Sequence, residues 1–390
     1  MEKVNEIKPK ETISVFEGGA IITGYGIGAG VLTMPALANK IGIWMTILIM
    51  AVAYLGCYLL HIMIADLTIK TGKNSQVVDI LSKYIFKGKA KKVLTIICFI
   101  ILSIVLYANL AAYISGAAGI LTASIPAIPE WAFKLIFYVF AAVVALFGLK
   151  ILGVTEKYAV ILILAMAASL MVGSCFHITN SLKQTIDSFP DVLNFFSIAM
   201  FAFSGFFSIP QVATGLNGDR KKVKLSIHLG MCINAVIMIL VIIFCALSTS
   251  DITQKDCVIG WSAGIGDWAK VIGCIFTVFA MLTTYWSLSM ALKDTVKNQL
   301  KLNDKISWLI ATLPSLGVAL IPIDFSTFVN IAGGAIAILI AAFVIPSFIM
   351  ANKEKDTECF INKKIVIPAE ITAIILFIFM AVGSIVGIFL

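Results

Sequence analysis

Eleven apolar runs, most of them long enough to cross a bilayer as a helix, leave this chain few residues for anything else. They cover roughly 14–38, 41–66, 93–123, 131–149, 158–176, 192–215, 225–248, 269–292, 306–322, 327–350 and 365–390. A spanning helix needs about 20 predominantly apolar residues. Hydrocarbon offers the backbone no hydrogen bonds, so such runs cross as helices. Of the 390 residues, 60% are hydrophobic and only 13% are charged, and the mean hydropathy is +1.03. The sequence is that of an all-α polytopic membrane protein with a single transmembrane domain. The longest polar gap, 67–92, is itself amphipathic. Val77, Val78, Ile80, Leu81, Tyr84 and Ile85 recur at helical spacing, which predicts a short helix lying at the membrane surface.

The charge is placed, not spread. With the N-terminus on the cytoplasmic side, 24 of the 29 Lys and Arg residues fall inside, and only Lys40, Lys134, Lys183, Lys255 and Lys270 fall outside. The bias alternates at every loop, as the positive-inside rule requires. It accounts for the net charge of +8 without a nucleic-acid partner. Trp44, Trp131, Trp261 and Trp268 all fall at the outer side, which predicts an aromatic belt there. The eight cysteines are scattered, with no CxxC or Cys/His cluster, so neither a disulfide framework nor a metal site is expected. The first twelve residues mix Lys, Glu and Pro and no cleavage site follows them, so the first run is expected to stay as a membrane helix.

That first run carries glycine at alternate positions, Gly24, Gly26, Gly28 and Gly30. Glycine costs a helix about 1 kcal/mol per residue relative to alanine, so a break is predicted over 24–30. Tight helix packing is the competing reading of such glycines. A nucleotide-binding loop would need a βαβ unit, and none is present. Gly30-Val31-Leu32-Thr33-Met34-Pro35 recurs 175 residues later as Gly205-Phe206-Phe207-Ser208-Ile209-Pro210. The copies lie in segments one and six and cross the membrane in opposite senses. Interrupted helices at matching positions of two inverted halves mark a transporter's binding site. The expected architecture is an inverted repeat of five helices plus five, about 14–176 and 192–350, with an extra helix over 365–390.

Four stretches resemble the amino acid/auxin permease group of the amino acid–polyamine–organocation superfamily, closest to the bacterial hydroxy/aromatic amino acid permeases. They are GYGIGAGVLTMP (24–35), AAYISGAAGIL (111–121), FSGFFSIPQV with the following GDRKKVKLSIHLG (203–230), and TTYWSLSMALKD (283–294). Phe206 stands where that branch carries a histidine, and Tyr25 where it carries a threonine. The resemblance spans nearly the whole chain. It implies a LeuT-like fold with broken helices one and six, and uptake of an amino acid driven by a cation gradient across the plasma membrane.

An amino acid brings a carboxylate and an ammonium, and a charge at the bilayer centre costs roughly 2.5–3.5 kcal/mol or more. Backbone N–H groups at a half-helix N-terminus offset an anion, and Gly28, Ala29 and Gly30 are placed to offer them. Carbonyls near Ile22, Thr23 and Phe203 are the expected acceptors for the ammonium. Gly24, Gly26, Ser204, Gly205 and Phe206 complete the expected substrate site at the two breaks, with Tyr107 and Tyr113 from segment three. Phe201 and Phe207 extend an aromatic wall that suits an aromatic substrate. Each tyrosine alone is more often a packed or interfacial residue.

For coupling, the hydroxyls of Thr283, Thr284 and Ser287 with the carbonyl of Ile22 form a candidate Na⁺ site, although Ser and Thr also bond back to their own helix. Proton coupling needs a titratable group. Glu17 and His61 are the first candidates, ahead of Asp66, Glu156, Lys157 and Glu370, most of which are expected near the solvated inner face. Asp294, at the end of segment eight, is a candidate gate paired with an N-terminal basic residue. The expectation is a cation-coupled symporter, leaning to H⁺, with no organic cofactor, no catalytic set and no obligatory protein partner. Its only partners are the amino acid and the surrounding lipid. The rival is a permease-like amino acid sensor that binds without transporting; a chain ending at Leu390, at the membrane, argues for transport.

Overall fold

The computed structural model describes residues 12–72, 74–249, 257–353, 359–362 and 364–390, with the backbone alone at Ala29 and Val31. The first half comprises α1 (Val15–Ile41), α2 (Ile43–Thr71), α3 (Val77–Tyr84), α4 (Lys91–Ser124), α5 (Glu130–Leu146) and α6 (Leu149–Cys175). The second comprises α7 (Phe189–Phe203), α8 (Ile209–Gly215), α9 (Arg220–Ser248), α10 (Cys257–Ile265), α11 (Asp267–Leu300), α12 (Asp304–Ala319), α13 (Phe325–Leu339) and α14 (Ile345–Ala351), followed by α15 (Val366–Ile388). A 3-10 turn, Phe206–Ser208, joins α7 to α8, and a π turn, Ile340–Val344, joins α13 to α14. The π turn precedes Pro346, whose missing N–H interrupts the helical ladder.

Among the described residues, eight spans are long and apolar enough to cross a membrane, with α7–α8 and α13–α14 each counted as one, and the bent α1 makes nine. The other two expected segments are α5, with 17 residues, and α12, with 16, at the short limit of a spanning helix. All eleven expected segments thus have a helical counterpart. Several run further than expected. α2 continues to Thr71, and α6 begins at Leu149 rather than near 158.

α1 is the centre. Ser14 and Glu17 cap its start reciprocally, Ser14 Oγ accepting from Glu17 N at 3.2 Å and Glu17 Oε2 from Ser14 N at 2.7 Å, a capping box. It packs against α9, α11, α7 and α6, so Ile21 and Ile27 are fully buried. Lipid-facing positions lie elsewhere, for example Ile104 on α4, Phe140 on α5 and Ile378 on α15, all exposed. One end of the bundle is tied by Asp66, fully buried, which pairs with Lys70 at 2.6 Å and Arg220 at 3.0 Å. The ring of Phe360 covers that arginine at 4.6 Å.

Three expectations change. The amphipathic stretch forms α3, but Val77, Val78, Ile80, Leu81 and Tyr84 are buried against α2, α4 and α14, so protein and not lipid covers its apolar face. Trp261 leaves the expected aromatic belt. It is fully buried on α10, a helix that went unread in the sequence, and donates to Ser174 Oγ at 2.7 Å; Trp44, Trp131 and Trp268 remain exposed. Asp66 and Glu156 are fully buried and not solvated.

Candidate functional site

The two glycine-bearing segments break differently. α1 bends by 61° between Val15–Gly28 and Leu32–Ile41, yet residues 24–28 keep helical hydrogen bonding. The interruption is narrower than the expected 24–30. The reason is packing: a Cβ added at Gly24 would lie 2.2 Å from Glu156 Oε2, at Gly26 2.2 Å from Asn234 Nδ2, and at Gly28 2.5 Å from Thr284 Oγ. Close approach of α6, α9 and α11 opposes the helix-breaking tendency of glycine. At Gly30 the added atom would meet Met238 Sδ at 2.6 Å. Substituting Gly28 or Gly30 therefore perturbs packing first. The side chain of Ala29 lies outside the described residues.

α7, by contrast, unwinds. Ser204 N bonds Phe201 O at 3.0 Å, Gly205 N bonds Phe203 O at 2.9 Å, and Ser208 N bonds Gly205 O at 3.1 Å. The chain turns through Ser204 and Gly205 and resumes at Pro210, which suits the first turn of a helix. Asn234 Nδ2 donates to Ala202 O at 3.0 Å, satisfying a carbonyl that the break would orphan. Here there is space: a Cβ at Gly205 would meet His61 Nε2 and Ile22 O at 3.5 Å and Tyr25 Cδ1 at 3.6 Å.

Two polar clusters follow, one on each side of α1. The first joins α1, α6 and α11. Thr283 Oγ lies 3.2 Å from Gly24 O and 3.0 Å from Ala280 O, Thr284 Oγ lies 2.9 Å and 3.1 Å from the same carbonyls, and Thr284 Oγ accepts from Gly28 N at 3.2 Å. Ser287 Oγ donates to Glu156 Oε1 at 2.7 Å and lies 3.4 Å from Ile21 O. The second lies at the α7–α8 break. It holds the buried Ser204 Oγ, without a hydrogen-bond partner, beside Gly205, the ring of Tyr25, Ile22 O and the fully buried His61; the Tyr25 hydroxyl is also buried without a partner. Phe203 and Phe206 are buried on its flanks, Phe203 edge-on to Tyr54 with centroids 5.9 Å apart and Phe206 against Phe207 at 4.0 Å. Unpartnered buried polar groups are costly; a polar ligand would satisfy these.

Most expected residues fall into these clusters. Thr283, Thr284 and Ser287 meet α1 carbonyls, but those of Ile21 and Gly24; the Ile22 carbonyl faces Gly205 instead. Thr23 Oγ donates to Gly19 O and Gly230 O, so it ties α1 to α9. Tyr113 lies beside Gly28, 3.0 Å from the position of an added Cβ, with its ring against Phe325. Tyr107 is engaged otherwise: its hydroxyl donates to Ile310 O at 2.7 Å, tying α4 to α12. Glu17 sits at the start of α1 in an ion pair with Lys150 at 2.8 Å. The basic partners expected for Asp294 lie outside the described residues. Among the described residues no group of three His, Cys, Asp or Glu side chains is placed to hold a metal ion.

A family model described as the tryptophan/tyrosine permease family matches residues 11–387. Glutamine transporter 2 of Aliivibrio fischeri is 23% identical over 365 residues, covering 88% of this chain and 90% of the relative. Among solved structures, MHP1, a nucleobase-cation-symport-1 family transporter in a closed conformation with bromovinylhydantoin bound, superposes with a TM-score of 0.67 at 11% identity, over 97% of this chain and 91% of that one. A mutant of the Eremococcus coleocola manganese transporter superposes with a TM-score of 0.63 at 15% identity, over 96% and 87%. The fold is the LeuT-like five-plus-five architecture expected from the repeated break.

Proposed function

The chain belongs to the tryptophan/tyrosine permease family, and we propose that it is a secondary active amino acid transporter, a cation symporter working by alternating access. The observation that carries this is the α7–α8 break, where Ser204 Oγ is buried without a partner beside Gly205, the Tyr25 ring and His61. An amino acid's ammonium and carboxylate need acceptors and donors away from water, and a discontinuous helix supplies both. The buried rings of Phe203, Phe206 and Phe207 favour an apolar or aromatic side chain on the ligand. The segments 14–176 and 192–350 are the two halves that rock against each other, with the N-terminus on the cytoplasmic side of the plasma membrane, where the basic residues gather. The coupling ion is H⁺. The test is uptake of labelled amino acids into proteoliposomes, with Na⁺ and pH gradients imposed separately. Accumulation of an aromatic or other apolar amino acid under a pH gradient supports the reading. Binding with neither accumulation nor exchange makes the protein a sensor and refutes it.

A further inference from the structure

We propose that Glu156 is the proton-binding residue of the transport cycle, and that its protonation couples to the seating of α1 on α11. This rests on the transport reading above. Glu156 lies on α6 with no exposed surface, and its Oε2 has no hydrogen-bond partner. Among the described residues no ion pair compensates it. On α6, Lys150 pairs with Glu17 of α1, and the Lys157 ammonium lies 4.7 Å over the Tyr158 ring. On α11, Lys293 Nζ donates to Ala145 O and lies 3.9 Å from Asp304. On α9, Arg220 pairs with Asp66, and His228 packs its ring on Tyr58. On α5, Lys134 pairs with Glu130, and the Tyr138 hydroxyl meets Thr312. α8 and α10 carry no charged residue. An isolated carboxylate so enclosed is costly to bury.

The surrounding hydrogen bonds suit a proton better than a sodium ion. The Thr283 and Thr284 hydroxyls of the candidate sodium site already donate to the carbonyls of Gly24 and Ala280, and the Ile22 carbonyl faces Gly205 instead. The carboxyl lies directly on the bare Cα of Gly24: a Cβ there would be 2.2 Å from Oε2 and 3.0 Å from Thr283 Cβ. Ser287 Oγ has two acceptors in reach, Glu156 Oε1 at 2.7 Å and Ile21 O at 3.4 Å. When Glu156 is the acid, its O–H donates to Ser287 Oγ and frees the serine proton for Ile21 O, adding one bond to those that already join α11 to α1 at Gly24 and Gly28. When Glu156 is ionised, the serine proton turns to Oε1 and the hold on the Ile21 carbonyl is lost. One proton from water adds to the carboxylate on one side of the membrane and returns to water on the other; no other bond is made or broken.

The experiment compares wild type with Glu156→Gln and Ser287→Ala in proteoliposomes. Each is assayed for pH-driven accumulation and for exchange of labelled against unlabelled amino acid. Glu156→Gln, isosteric with the acid, should lose pH-driven accumulation while exchange, which moves no net proton, persists. Ser287→Ala removes the donor that favours the ionised form, so its pH profile for accumulation should move upward by about one unit. Wild-type accumulation in Glu156→Gln overturns the assignment. So does accumulation in wild type driven by a Na⁺ gradient alone and lost in that variant. If Glu156→Gln does not fold, an unshifted profile in Ser287→Ala overturns it. Absence of both exchange and accumulation in wild type refutes the transport reading itself, a separate outcome.

Discussion

A Cβ added to Gly24, Gly26 or Gly28 in α1 would lie 2.2–2.5 Å from a neighbouring atom, whereas one added to Gly205 in the α7–α8 break would meet nothing closer than 3.5 Å. The two interruptions carry related sequences but are packed in opposite ways. α1 is wedged between α6, α9 and α11, and its polar neighbours are bonded to each other, apart from Glu156 Oε2 and Asn234 Oδ1. The α7–α8 break would meet an added Cβ only at ordinary contact distance and leaves Ser204 Oγ unpartnered. A tightly packed bend with few spare bonds is suited to sensing one small change and passing it on. A looser break with unmet hydrogen bonds is suited to receiving a ligand.

The sharpest way to break this contrast is substitution at the glycines. Gly26→Val places its Cβ 2.2 Å from Asn234 Nδ2 and 2.4 Å from Ala202 O. Overpacking of this kind costs about 1–3 kcal/mol or more, so a marked fall in melting temperature with loss of transport is expected, read by thermal unfolding in detergent. Gly205→Val, in contrast, has space and a backbone φ of −71° open to any residue. It should unfold near the wild-type temperature yet lose about tenfold or more in amino acid affinity, the equivalent of about 1.4 kcal/mol, measured by isothermal titration. Equal stability loss in both variants would erase the distinction.

Smaller effects sharpen it. Thr284→Val removes the hydroxyl shared by Gly24 O and Ala280 O and the acceptor of Gly28 N, at a cost of about 1 kcal/mol. Uptake by wild type and by this variant should be indifferent to replacing Na⁺ with choline; strict Na⁺ dependence in wild type would turn the α1–α11 cluster into a sodium site. Tyr107→Phe breaks only the bond to Ile310 O. It should cost about 0.6 kcal/mol, the average for such bonds between membrane helices, with no change in affinity. A drop in affinity there would place Tyr107 in the ligand site after all.

The spans were legible because a twenty-residue apolar run has one way to cross lipid. The α7–α8 break was legible too, from the Gly205 and Pro210 that recur from Gly30 and Pro35, although the first copy bends without leaving the helix. The limits of α6 were not. Lys150 and Lys157 read as loop, but Lys150 reaches out to Glu17 and Lys157 folds over Tyr158, so the helix starts at Leu149 while the ammonium groups stay at its rim. That shift carries Glu156, one residue before Lys157, from an expected solvated position to the centre of the bundle. The helical state of Gly24–Gly28 was equally hidden. Propensity is a local quantity, and what decides these residues is contact with Glu156, Asn234 and Thr284, 132, 208 and 256 positions away in the chain from Gly24, Gly26 and Gly28 in turn.

The division of labour between the two clusters is tested most directly by a structure with the amino acid that is best accumulated in liposomes. The account predicts ligand density at the α7–α8 break, its polar ends within hydrogen-bond distance of Ser204, Gly205 or Tyr25, and none against Glu156. Density lodged between Gly24, Thr284 and Glu156, with the break still empty, would contradict it.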